Sequence, residues 1–492
     1  MNAATIYTAI ALYFVFGTVV AMLARRGMGK GVADFFLANR AIGGFVAALT
    51  YSATTYSAFM LVGLAGFTYL GGVGALGFEL IYLSGLVLVA FFGPRFWLAG
   101  KKYNYITPSE MLGDRYQSNA LAVISAIASV IFLIPYSAVQ LIGIGTLLEG
   151  LSGGAIPFIA GLVIAIIFTV TWAWMGGMRS VAWTDSLQAL VMIVVATVSV
   201  ILIVYRGFGG IGNMFVALET QYPAWLTVPG PGFFNAKNFV GLSLPWFFFC
   251  LSNPQVSQRL FIPKSLGNMR TMVMGFLVFG FIYTLISIIW GFSARLLLPD
   301  LAVADDATPY LLALDIIPNV VALFVLLGIT AAAISTVNSI ILTLSSMVSR
   351  DIIKKINPGC DENYELAAGK VFIPLFAIAI YFFASLRLGL IAVLSVASSA
   401  GLLVMVPSLI GTFFWKRGTA AGAITSIIVG GVIAAYFQFG GVQPLGWGPG
   451  IWSGIVALVL FVVISLLTEP PRERAEDFLA YINGALKDKN AI

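Results

Sequence analysis

The chain contains no histidine. That removes imidazole as a metal ligand, a general base and a proton relay. It has two cysteines, Cys250 in an apolar stretch and Cys360 in a polar loop, which is too little for a disulfide framework. Charge is scarce as well: 9% of the 492 residues are charged against 60% hydrophobic, and mean hydropathy is +1.00. A soluble domain cannot have this composition, whereas a polytopic α-helical membrane protein does. The 26 Lys+Arg against 20 Asp+Glu give a net charge of +6, which suits cytoplasmic loops and calls for no nucleic-acid partner. Residues 4–24 are apolar, have no basic residues ahead of them and are followed by Arg25 and Arg26. They read as a retained first helix in the lipid bilayer, not a cleaved signal peptide.

What is present is a series of apolar segments. Thirteen can be read, at 4–24, 41–70, 72–99, 118–149, 155–176, 181–206, 236–257, 269–297, 310–349, 368–386, 389–414, 420–439 and 448–468. Loop charge tests the count. With the N-terminus outside and strict alternation, 22 of the 26 basic residues fall on the inside, among them Lys30, Arg179, Arg259 and Lys489; only Arg206, Lys237, Arg295 and Arg387 fall elsewhere. A missed helix would invert every later loop, so this bias supports thirteen spans with a cytoplasmic C-terminus. The outer loop 207–235 is rich in Gly and Pro, and the outer loop 298–309 holds Asp300, Asp305 and Asp306. The charged tail from Glu469 is expected to form a cytoplasmic helix.

Two segments carry signs of a broken helix. The second contains Thr50, Tyr51, Ser52, Thr54, Thr55, Tyr56 and Ser57 at membrane depth. Hydroxyls there can satisfy backbone groups that leave the helical ladder, so unwinding is expected near Ala53–Ser57; an ordinary helix with back-bonded hydroxyls is the alternative. The seventh contains Ser252-Asn253-Pro254-Gln255, and Pro254 disfavours helix at Asn253. Segments 2–6 and 7–11 each hold five helices. Five is odd, so two such units have opposite orientations and their first helices, both interrupted, correspond. That is the signature of an inverted-repeat transporter. The implied division is residues 1–40 as an extra helix and inner loop, 41–206 and 236–414 as the repeats, 207–235 as an outer loop, 415–468 as two extra helices, and 469–492 as the tail.

Between Gly328 and Ser346 one helix face carries Ser335, Thr336, Asn338, Ser339 and Thr343, with Ala332 one turn earlier. Hydroxyls with freed carbonyls are hard oxygen ligands, and the stretch reads as half of a sodium site. Asp185, near the inner end of segment 6, is either an ion ligand or a helix-end acid bonded to backbone amides or to Arg179. Glu79 in segment 3 faces a substrate, a gate or a partner helix. Gln140 in segment 4 faces the central cavity, and Gly143 and Gly145 serve close helix packing.

The motifs DFFLANRAIGG, YNYITPSEMLGDRY, WMGGMRSVAWTDSLQ at 174–188, AAAISTVNS at 331–339 and SMVSRDI resemble the sodium:solute symporter family across nearly the whole chain. The resemblance implies a LeuT-type fold with extra helices, and Na+ held by the carbonyls of Ala53, Tyr56 and Ala332 and the hydroxyls of Ser335 and Thr336. It implies a second sodium for some members, here at Asp185, Ser335 and Ser339, with Asn338 in place of a hydroxyl. The solute would be lined by Thr54, Ser57, Gln140, Trp246, Ser252 and Pro254. The motifs are most similar to the pantothenate permease branch. Relative to the proline permease branch, Thr55 replaces an acid and Cys250 an aromatic, while Ser57, Trp246 and Pro254 match. The expectation is therefore an all-α transporter of about 13 transmembrane helices in the cell membrane. It would import a small organic solute, a monocarboxylate such as pantothenate, with sodium and with no obligatory protein partner. Proline-like amino-acid uptake is the rival within transport, and a solute-sensing membrane protein the rival outside it. An intramembrane enzyme is disfavoured because no nucleophile–base pair is visible.

Overall fold

The computed structural model describes residues 1–26, 29 and 31–487; Lys30 and Lys489 lie outside the described residues. The long elements are α1 (Ala3–Arg25), α2 (Gly44–Thr55 and Phe59–Gly71), α3 (Gly74–Tyr103), α4 (Asn119–Leu151), α5 (Phe158–Phe208) and α6 (Ala236–Phe247, Phe249–Ser252 and Pro254–Ser257). After these come α7 (Leu266–Leu297), α8 (Asn319–Met347), α9 (Glu362–Ser385), α10 (Ile391–Phe414), α11 (Ala420–Phe439), α12 (Pro449–Leu467) and α13 (Arg472–Lys487). Among the described residues no strand is present, only an isolated bridge between Ile42 and Pro263. Among the described residues ten helices are long and apolar enough to cross a membrane, or eleven when the two halves of α2 count as one bent span.

Three features differ from the sequence expectation. Segments 5 and 6 are not separated by a loop: α5 runs for 51 residues with one non-helical residue, Gly177 (φ 53°, ψ −149°). The 310–349 segment is not one helix; Ala307–Leu312 forms a short helix of its own before α8 begins at Asn319. No piece of α6 is long enough to span a bilayer by itself, because Phe248 and Asn253 both leave helical geometry.

The breaks have local causes. In α2 the helix ends at Thr55, Tyr56 is extended (φ −86°, ψ 95°), and the chain re-enters a helix through a π-helical turn, Phe59–Leu64, bending the span by 51°. In α6 Asn253 is extended (φ −91°, ψ 111°) because Pro254 starts the next turn. The helix that faces these breaks is α8, buried throughout from Gly328 to Met347, and its most extensive packing is against α5. Small residues make this close approach possible. Gly280 on α7 shows the same economy, since a Cβ there would lie 2.0 Å from the Tyr56 hydroxyl.

Gly177 is the residue the long helix cannot replace. Its backbone lies in a region open to glycine, and an added Cβ would sit 2.2 Å from the Phe35 carbonyl oxygen. Gly177→Ala is expected to cost at least ~1–3 kcal/mol and to lower the thermal midpoint of the purified protein. Gly212→Ala, where no atom lies within 4 Å of the added Cβ, should leave it unchanged. Equal midpoints for the two variants would refute the account of the kink.

Candidate functional site

The break in α2 frees carbonyl oxygens that face α8. The Ser335 hydroxyl donates to the carbonyls of Ala53 (2.8 Å) and Ala332 (2.8 Å). The Thr336 hydroxyl lies 3.2 Å from the Ala53 carbonyl, 3.1 Å from that of Thr54 and 3.1 Å from that of Ala332. Ala53, Ala332, Ser335 and Thr336 thus converge as the sequence suggested, and all four are 0% exposed. For the fifth expected ligand, Tyr56, the amide donates to the Ser52 carbonyl at 2.7 Å and the ring stacks on Phe276. The Thr54 carbonyl joins the group through Thr336. Five oxygens, none from a carboxylate, form a dry and neutral set of hard donors, which fits an alkali cation better than a transition metal. Among the described residues there is no cluster of His, Cys, Asp and Glu that fits a metal ion.

A second cluster lies deeper along the same helices. Asp185 Oδ2 accepts from the Thr50 hydroxyl at 2.7 Å and pairs with Arg259 Nη2 at 3.3 Å. Arg259 Nη2 also donates to the Ser339 hydroxyl at 2.6 Å, and Nη1 to the Gln255 carbonyl at 2.9 Å. Two readings change. Arg179 is not the partner of Asp185, since it faces Asp34 at 3.6 Å. Arg259 is not a loop charge, since its side chain is 0% exposed. Ser335 stays with the first cluster, while Ser339 and Thr54, whose hydroxyls lie 3.0 Å apart, belong to the second. A signal for Arg259 was present: Gln255 and Arg259 are four residues apart, so a break at Pro254 carries the arginine inward with it.

The remaining candidates surround the two breaks. Gln140 Oε1 accepts from the Ala58 amide at 3.2 Å, and the Ser57 hydroxyl accepts from the Phe59 amide at 3.2 Å. Gly143 packs where a Cβ would lie 2.9 Å from that of Ala58. Trp246 stacks near Phe59 and Phe249, with ring centroids 5.0 Å from each, and its indole N–H donates to Glu79 Oε2 at 3.2 Å. Ser252 donates to Asn253 Oδ1 at 3.0 Å, and Pro254 opens the last turn of α6. Thr54 points away from this group into the Arg259 cluster. Two residues the sequence reading missed pack beside this group. Tyr82 and Tyr136 pack against Phe249, with buried hydroxyls that have no partner. Tyr82 lies three residues after Glu79 and Tyr136 four before Gln140, so helical spacing from those polar residues would have found them.

The sequence profile of the sodium:solute symporter family matches residues 35–430. The chain belongs to that family. It is 29% identical over 466 residues to the sodium/pantothenate symporter of Escherichia coli (strain K12), covering 92% of this chain and 94% of that protein. It is 23% identical over 515 residues to a sodium/proline symporter of Staphylococcus aureus, covering 98% and 96%. The solved structure of a Na+-coupled sialic acid symporter in a substrate-bound outward-open state superposes with a TM-score of 0.78 at 18% identity, covering 94% of this chain and 98% of that one. The chain is thus an integral membrane transporter with the fold of Na+-coupled symporters, and no enzyme.

In this symporter both ends of the core carry side-chain contacts between separate elements. At one end Thr343 donates to Gln258 Oε1 (2.7 Å), Thr107 to Asp351 (2.6 Å), and Arg350 pairs with Glu110 (2.8 Å). At the other end Thr308 donates to the Leu61 carbonyl, and Asp305 accepts from the Ile391 amide at 2.8 Å. A cavity of about 640 Å³ opens at this second end, lined by Ile142, Glu149, Phe158, Asp305, Tyr310 and Arg387 among others.

Removing one oxygen donor from the first cluster leaves buried partners unsatisfied, at a cost of ~1–3 kcal/mol. Ser335→Ala and Thr336→Ala are each expected to raise the sodium concentration for half-maximal uptake roughly 5- to 150-fold. Unchanged sodium dependence in both variants, at normal protein levels, would remove these hydroxyls from the ion site.

Proposed function

We propose that this symporter couples sodium entry to import of a small monocarboxylate that also carries hydrogen-bond donors, pantothenate or a close analogue. The observation that carries the reading is the set of buried polar groups around the two breaks. Tyr82, Tyr136, Asn253 Nδ2 and Gln255 offer buried unpartnered polar atoms, while Glu79 supplies a carboxylate acceptor beside Trp246. A carboxylate at one end of a solute would take the amide, the phenols and the N-terminal dipole of the second half of α2. Hydroxyl or amide donors at its other end would take Glu79. Arg259 is unavailable to the solute because it is spent on Asp185. Sodium/pantothenate symporters of two organisms, 29% and 26% identical over nearly full length, support the same class.

A second reading, uptake of an amino acid, draws on the same Glu79: a carboxylate against aromatic rings also accepts an ammonium. Thr55 and Cys250 stand against it, as the residues by which the chain departs from the proline permease pattern.

Sodium would sit on Ala53, Thr54, Ala332, Ser335 and Thr336, tying α2 to α8, with the Tyr56 carbonyl as the further ligand that the family resemblance implies. A ligand of that kind favours the conformation in which the two helices are close. The fold would cross the membrane thirteen times, with α5 counted as two spans on either side of Gly177 and α6 as one. A straight 51-residue helix would be about 75 Å long, more than twice the roughly 30 Å of hydrocarbon. The five-helix repeats 41–206 and 236–414 would then be oppositely oriented, with the N-terminus outside and α13 in the cytoplasm.

Two measurements test this. In proteoliposomes, a sodium gradient should drive labelled pantothenate uptake, and short hydroxy or amide monocarboxylates should compete better than proline or neutral sugars; best competition by proline would establish the second reading instead. For topology, Asp300→Cys and Asn357→Cys, both at exposed positions, should label from opposite faces of the membrane. Labelling from one face would refute thirteen spans.

A further inference from the structure

Arg259 stands where a second cation would stand. It lies in the turn Gln258–Phe261 that follows the broken α6, and its guanidinium is fully buried. Through one nitrogen, Nη2, it reaches Ser339 Oγ (2.6 Å), Asp185 Oδ2 (3.3 Å) and Thr50 Oγ1 (3.4 Å). Those oxygens come from α8, α5 and α2, three separate elements. Asp185 and Ser339 are the same groups that a carboxylate-based sodium site at this depth would use. The one negative charge is met by one positive charge. A sodium ion placed on Asp185 and Ser339 would have to share that carboxylate with a guanidinium already within hydrogen-bonding distance of both. Two like charges against one acid in a buried site repel strongly. Asn338, which stands where a further hydroxyl would help an ion, has both amide atoms unpartnered and makes no bond to the cluster.

We propose that Arg259 is a tethered counter-ion that fills the second cation position, so that this symporter binds one sodium ion per chain. The inference rests on the sodium-coupled reading above. It assigns Arg259 a positioning role: it holds α2, α5 and α8 on one charge centre without contributing to the sodium set at Ser335 and Thr336. Because the cation is covalently attached, this part of the core does not load and unload with the transport cycle.

The test counts ions without needing the solute. Equilibrium binding of ²²Na⁺ to the purified protein should give one ion per polypeptide, lost in Ser335→Ala. Removing the guanidinium alone, in Arg259→Gln, uncovers Asp185 and should raise the count to two. The double variant Asp185→Asn with Arg259→Gln removes both charges, keeps a hydrogen-bonding pair of similar size, and should return to one; it also serves if Arg259→Gln alone fails to fold. A wild type that binds two ions, with the double variant binding one, overturns the inference while leaving sodium symport intact. A double variant that binds none overturns it as well, since the pair would then belong to the single sodium site. A wild type that binds no sodium overturns both the inference and the coupling on which it rests.

Discussion

Backbone polar groups at membrane depth must find partners inside the protein, because hydrocarbon supplies none. Every functional element of this transporter follows from how that demand is met at two breaks. Where α2 opens, the carbonyls of Ala53 and Thr54 are answered by the hydroxyls of Ser335 and Thr336, and the amides of Ala58 and Phe59 by Gln140 and Ser57. Acceptors gather on one side of the break and donors on the other. The acceptor side is a neutral cage of oxygens that suits a cation. The donor side lies near the packed rings of Phe59, Trp246 and Phe249. An ion on the acceptor side and a solute on the donor side would share one stretch of backbone, through which each would alter the other's affinity.

The helix that answers the first break has to come very close to it, and its sequence is built for that. From Ala331 to Ser339 no side chain of α8 is larger than Ile, and every residue is buried. Hydroxyls of Ser and Thr add polarity at almost no cost in volume, so they can be placed between two helices without a cavity or a clash. Alanine at 332 leaves its own carbonyl within reach of both hydroxyls. A larger side chain there would separate the helices and unmake the oxygen set even if every ligand were retained.

Composition made the membrane class legible, and local chemistry made the breaks legible: Pro254 and the run of hydroxyls from Thr50 to Ser57 each leave a trace in sequence. The hydroxyl face of α8 was visible for the same reason, as polar residues at helical spacing in an apolar run. What sequence could not show was pairing across the fold. Asp185 has Arg179 six residues away and Arg259 seventy-four residues away, and proximity along the chain favoured the wrong one. The loop-charge rule assigned Arg259 to an inner loop but is blind to whether a charge points into water or protein. Gly177 was likewise read as part of a loop, because a helix that continues through a single glycine-only residue looks like two helices with a short connection. Tyr56 was assigned by resemblance through its carbonyl; its amide closes the first half of α2 and its ring packs on Phe276.

The buried Arg259 also bears on why the two clusters differ in kind. The oxygen set at Ala53 and Ser335 carries no formal charge, so its affinity for sodium depends on how closely α2 and α8 approach. An ion held that way leaves readily when the helices part, which a transport cycle requires. The Asp185 cluster carries both charges within the protein. Breaking it would leave a charge unpaired in a dry interior, a cost of several kcal/mol, so it favours keeping its three helices together. A core that must move as one body against its surroundings needs such a joint, and a core that must release an ion needs the opposite. Placing Thr54 with its carbonyl in one cluster and its hydroxyl in the other joins the two: the residue whose backbone faces the sodium set is anchored by its side chain to Ser339, which Arg259 holds in turn. Movement of α2 relative to α8 would therefore act on both clusters through this one residue.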